Sequence, residues 1–86
     1  MVERKIILPN PSGLHARPAS VLCTKARTYL CKTTIYTGSR IIDVKSVLDV
    51  MAANLKQGSI LRLLCDGPDE AAAAEELIDY LQHLVE

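Results

Sequence analysis

The sequence has no tryptophan and no phenylalanine, and its only aromatic residues are three tyrosines. A core must therefore come from aliphatic side chains, which the 49% hydrophobic content can supply. No apolar run approaches the roughly 20 residues that cross a bilayer. The opening Met1-Val2-Glu3-Arg4-Lys5 has no signal-peptide apolar stretch. A cytoplasmic protein with no membrane insertion is expected. Cysteine is sparse and odd in number. Cys23, Cys31 and Cys65 have no metal-type spacing, which argues against a disulfide framework and against a zinc site. They are expected as small buried fillers, and neither a metal nor a cofactor is expected. No basic run with interleaved aromatics is present, which argues against nucleic-acid binding.

Net charge is also absent, but its zero hides an asymmetry. Residues 1–45 carry eight Lys/Arg against two Asp/Glu, and residues 46–86 carry two against eight. The basic half suits phosphate chemistry and acidic partners, unless folding interleaves the two sets. The length fits one domain, residues 1–86, with a modest core. No repeat or linker interrupts it.

The apolar pattern predicts seven elements. Val2 to Leu8 reads as a strand with Val2, Ile6 and Leu8 on one face. Ala16 to about Tyr29 has helical spacing through Ala19, Leu22, Cys23, Ala26 and Tyr29 or Leu30. The β-branched runs Lys32 to Thr37 and Arg40 to Val44 are joined by Thr37-Gly38-Ser39, a hairpin signature. Ser46 to about Asn54 reads as a short helix, and Ser59 to Asp66 as a strand with Leu61, Leu63 and Cys65 on one side. Gly67-Pro68-Asp69-Glu70 then opens a long helix striped by Ala74, Leu77, Ile78, Leu81 and Val85. This order, β-α-β-β-α-β-α with a hairpin in the middle, predicts an α+β domain whose helices cover one face of an antiparallel sheet.

The most informative segment is Gly13-Leu14-His15-Ala16-Arg17-Pro18-Ala19. The turn residues Asn10-Pro11-Ser12-Gly13 precede it, and Pro18 falls early in the helix, where proline is tolerated. His15 is thereby placed where a helix opens, against unpaired amides and the positive end of the helix dipole. Histidine as a residue type is partly unprotonated near neutral pH and can attack a phosphoryl group. The phosphate gained would lie against the amides of Ala16 and Arg17 and against the Arg17 guanidinium. Residues 9–20 contain no Asp, Glu or Cys to activate water against such an adduct, which favours a relay over a phosphatase. His83, in the last turn of the final helix, is expected to face water or satisfy terminal carbonyls.

This segment resembles the active-site motif of the histidine-containing phosphocarrier (HPr) family of bacterial sugar phosphotransferase systems. Chain length, Lys45-Ser46 before a short apolar run and the acidic last helix extend the resemblance over essentially all 86 residues. It implies an open-faced β-sandwich, with four antiparallel strands under two long helices and a short third one. It also implies phosphorylation of the δ nitrogen of His15, assisted by Arg17. The donor would be enzyme I, itself charged by phosphoenolpyruvate, and the acceptors sugar-specific transport components. A monomer suits such a shuttle.

The resemblance further marks Ser46 as a regulatory phosphorylation site, which would bring in a serine kinase and a transcriptional regulator. The local pattern offers a simpler role, since Ser46 and Asp49 have capping-box spacing. Asp49 stands where the family pattern has glycine, and Asn54 where it has a small residue. By the same resemblance, Leu14 or Ala16 together with Val47, Leu48 and Met51 form an apolar partner surface. Val50 and Leu55 are the inward candidates, and Leu48 and Met51 are expected to be partly exposed. Two other functions compete with the carrier. One is a non-transferring regulatory binding module that acts through the Ser46 helix. The other is an acyl carrier with a prosthetic arm on Ser46, which the preceding Lys45 and the surrounding strand signals disfavour.

Overall fold

A computed structural model describes residues 1–85. Its elements follow the expected order: β1 (Val2–Ile7), α1 (Ala16–Arg27), β2 (Lys32–Thr37), β3 (Arg40–Asp43), α2 (Val47–Ala52), β4 (Ile60–Asp66) and α3 (Glu70–Gln82). The strands form one antiparallel sheet in the order β1-β4-β2-β3. The last strand in sequence thus lies between the first and second, with Ile6 opposite Leu61 and Ile35 opposite Leu63. The period-2 pattern decides which face is buried. Ile6, Ile35, Ile42, Leu61, Leu63 and Cys65 all point to the covered side.

Both long helices lie on that side. From α1 come Ala19, Leu22 and Ala26, and from α3 come Ala73, Ala74, Leu77 and Leu81, all fully buried. The alanines let the backbones approach closely, which suits a core built without large aromatic rings. The opposite face of the sheet remains open. There Arg62 lies 5.5 Å from the ring centre of Tyr36 and 3.5 Å from the Glu3 carboxylate. This is the open-faced sandwich that the sequence resemblance implied.

The element ends differ from expectation in instructive ways. Helix α1 stops at Arg27 because Thr28 and Tyr29 donate back to the carbonyls of Lys25 and Ala26, tightening the last turn. Tyr29 packs on the core but Leu30 is 83% exposed. Strand β3 ends at Asp43, although Val44 is buried and still donates to the Thr33 carbonyl at 3.2 Å. Ser59 belongs to a turn, its hydroxyl accepting from the Lys56 amide at 3.1 Å. Val85 was expected in the α3 stripe but is 86% exposed, and Leu84 is buried instead. Helical spacing ceases to apply beyond Gln82, because α3 ends there with His83 as its cap.

All three cysteines are buried and free, and burial pushes the Cys65 thiol up to about 11. The two charge sets do interleave: Lys25 of α1 lies 3.2 Å from Glu76 of α3, and the amino terminus meets Glu70. No helix among the described residues is long and apolar enough to cross a membrane. His83 Nδ1 lies 2.8 Å from the Asp79 carbonyl oxygen, at a helix end as expected.

Asp69 stands at the N-cap position of α3, but its side chain makes no capping bond and works across the fold instead. Its carboxylate accepts the amides of Leu30 at 2.7 Å and Cys31 at 2.9 Å, tying the α1–β2 connection to the start of α3. The Leu30 amide is the main cause of its lowered pKa, with the Cys31 amide adding to it. A carboxylate held below its unfolded value stabilises the fold above the unfolded pKa, and that contribution is lost as pH falls through the folded one. The wild-type protein should therefore melt above an Asp69→Asn variant at pH 7. The gap should narrow as pH is lowered below about 4, and thermal melts across pH 2–7 would measure it.

Candidate phosphoryl-accepting site

The loop before α1 is folded by contacts with the turn that follows α2, more than forty residues away in sequence. Gly13 has φ +65°, and a Cβ there would lie 2.2 Å from the Leu55 carbonyl oxygen, so only glycine fits the approach. That same oxygen accepts the Leu14 amide at 3.0 Å. Further back, Leu8 donates to the Ser59 carbonyl at 2.9 Å and accepts from the Gly58 amide at 2.9 Å. The exposed Gln57 side chain donates to the Pro9 carbonyl at 3.0 Å. The turn that follows α2 therefore serves as the seat of the histidine loop.

His15 is the N-cap of α1, with φ −79° and ψ −172°, and its side chain makes no capping hydrogen bond. The residue is exposed. Its carbonyl accepts the Ala19 amide at 2.9 Å, the first bond of the helix. Between them, Ala16 and Arg17 present amides that have no intrahelical acceptor. Pro18 fills the next position and has no amide hydrogen at all. The helix mouth thus offers two first-turn donors rather than three, beside an imidazole that capping leaves uncommitted. Ala16 and Arg17 are both exposed. Lys25 and Arg27 lie in the last turn of α1 and no acidic residue in the first, so nothing in that first turn repels an anion.

The serine region is also a helix start. Ser46 Oγ accepts the Asp49 amide at 3.2 Å, the capping half of the expected box. The reciprocal half is redirected. The Asp49 carboxylate accepts the Asp43 amide at 2.6 Å, while the Ser46 amide donates to the Asp43 carbonyl at 3.0 Å. Asp49 therefore ties the end of β3 to α2. Asn54 has φ +51°, a left-handed conformation that asparagine tolerates better than most residues. Both departures from the family pattern thus have local structural work. Lys45 is held between elements. Its carbonyl accepts Cys23 Sγ at 2.9 Å and Arg27 Nε at 2.8 Å, and its Nζ donates to the Tyr29 carbonyl at 2.8 Å.

The apolar surface divides. Leu48 is 77% exposed and Met51 45% exposed, Val47 is half-buried, and Val50 and Leu55 point inward. Leu14 is corrected: it is 3% exposed and joins the core, because the Leu55 contact turns the loop and drives its side chain beneath it. Ala16 remains as the exposed apolar residue beside His15.

Comparison with known proteins decides the family. Residues 2–83 match the model of the PTS HPr component phosphorylation site. The chain belongs to the HPr phosphocarrier family. It is 37% identical over 84 residues to the phosphocarrier protein HPr of Lysinibacillus sphaericus, covering 98% of this chain and 96% of that one. A Mycoplasma histidine-containing phosphocarrier superposes with TM-score 0.89 at 32% identity, over 92% of this chain and 90% of the other. Crh of Bacillus subtilis, a catabolite-repression protein that forms a domain-swapped dimer, superposes with TM-score 0.78 at 28% identity, over 100% and 99%. In this HPr-family chain, sequence reasoning missed the part played by the Leu55 carbonyl. The only local hint was Asn54, a residue suited to left-handed backbone, just ahead of an apolar residue.

The Ser46 hydroxyl is already spoken for as a cap. A Ser46→Ala variant should lose about 1 kcal/mol of stability with the fold kept, as read by urea unfolding. No loss would contradict the capping role.

Proposed function

We propose that this HPr-family chain acts as a single phosphocarrier domain, residues 1–86, in the cytoplasm. It relays phosphoryl groups as a monomer and turns over no small molecule alone. His15 accepts the group from phosphorylated enzyme I and passes it to sugar-specific transport components. The observation that carries this reading is the exposed imidazole at the N-cap of α1, free of capping duty and next to the Ala16 and Arg17 amides. In the first step the Nδ1 lone pair attacks phosphorus. A new N–P bond forms, the bond between phosphorus and the donor's carrier atom breaks, and its electron pair returns to that atom. The two amides and Arg17 offset charge on the phosphoryl oxygens. An acceptor nucleophile then repeats the exchange from the other side. Leu48 and Met51, with Val47 and Ala16, give donor and acceptor an apolar patch to dock on.

A second role attaches to Ser46, whose phosphorylation by a serine kinase would direct the α2 surface to a transcriptional regulator. The exposed Leu48 and Met51 and the likeness to Crh favour it. Without transfer at His15, the chain would be a regulatory binding module acting through this helix alone.

Incubation with enzyme I and labelled phosphoenolpyruvate separates these readings. Acid-labile, base-stable label is expected on the wild type and should vanish in His15→Ala. Label that survives that substitution would remove His15 from the reaction. No label on His15, with acid-stable label on Ser46 in a separate incubation with a serine kinase and its labelled phosphoryl donor, would favour the binding module.

A further inference from the structure

We propose that Asn10 is a positioning residue for His15: its buried carboxamide fixes the peptide plane that leads into the histidine. The inference rests on the reading of His15 as phosphoryl acceptor. Asn10 is 1% exposed, a setting in which a primary amide is costly unless it is hydrogen-bonded. Its Nδ2 donates to the Gly13 carbonyl at 2.7 Å, and its backbone carbonyl accepts the Gly13 amide at 3.2 Å. Two bonds thus close the same short span, leaving Pro11 and Ser12 as an exposed lobe.

The Gly13 carbonyl and the Leu14 amide belong to one peptide unit. Asn10 holds its oxygen and the Leu55 carbonyl holds its hydrogen, so the plane is clamped from both sides. Such a clamp is needed at this point. Close packing on Leu55 demands glycine at position 13, and glycine is also the residue least able to hold its own backbone in one conformation. Asn10 offsets that freedom one residue before Leu14 and two before His15. Proline at 9 and 11 restrains its own φ angles but supplies no donor for the Gly13 oxygen.

Phosphoryl transfer is sensitive to displacement of about 1 Å, which can cost up to about a hundredfold in rate. The full chain carrying Asn10→Ala, or the shape-preserving Asn10→Asp, would be compared with wild type by backbone ¹⁵N relaxation and enzyme I-dependent phosphorylation. The expected result is a folded protein in which heteronuclear NOE values fall at residues 14–17 while those at residues 61–65 are unchanged. The transfer kcat should drop about tenfold to a hundredfold with KM for the carrier within about twofold, because the docking surface is intact. Unchanged loop order and unchanged kcat in a folded variant would overturn the proposal. So would equal loosening of the sheet, or failure of both variants to fold, either of which assigns Asn10 to global stability. If wild-type His15 takes no phosphate, the functional reading fails by itself, and the NOE comparison still decides whether Asn10 orders the loop.

Discussion

One carbonyl oxygen, that of Leu55, sets the place of the histidine. It accepts the Leu14 amide and leaves no room for a Cβ on Gly13. Leu14 is thereby driven into the core, and the residue after it must emerge at the surface as the cap of α1. The oxygen is available because a left-handed Asn54, just past the end of α2, turns the chain back beneath the loop. The short helix therefore has two tasks. Its outer side presents Leu48 and Met51, and its far end supports the segment that carries His15.

The mouth of α1 is suited to brief possession of a phosphate. A hydrogen bond to a charged group contributes about 1.5–3 kcal/mol, and Pro18 limits the first turn to two such amides. The phosphate would be stabilised enough to form and still be given up to the next nucleophile, which a relay requires. The lysines and arginines of the first half do not form one isolated basic surface, because Lys25 pairs with Glu76 of the second half. On the proposed reading, the attraction for an anion at this site is mainly local, made by the helix start and Arg17.

Much of the architecture was legible in the sequence because its signals are local. The 3.6-residue spacing of Ala19, Leu22, Cys23 and Ala26, the alternation of Leu61, Leu63 and Cys65 and the glycine-centred hairpin each depend on nearby residues alone. The motif likewise placed His15, Arg17 and Pro18 at one helix start. Strand order was not legible, since nothing in a strand's own pattern says that β4 inserts between β1 and β2. The error at Leu14 has that same cause. Leu14 looked free until a carbonyl more than forty residues away captured its amide. The Asp49 amide caps with Ser46 as expected, but its carboxylate is taken by the Asp43 amide rather than reaching back to Ser46. Val85 kept its place in a helical stripe only while the helix was assumed to continue.

The account turns on phosphate being received by the helix mouth, and amide NMR of the protein before and after phosphorylation tests this directly. If the account holds, attachment of phosphate to Nδ1 of His15 moves the amide protons of Ala16 and Arg17 downfield by more than any others in the chain. If those two stay in place while amides elsewhere respond, the helix start does not hold the phosphate and the account is wrong.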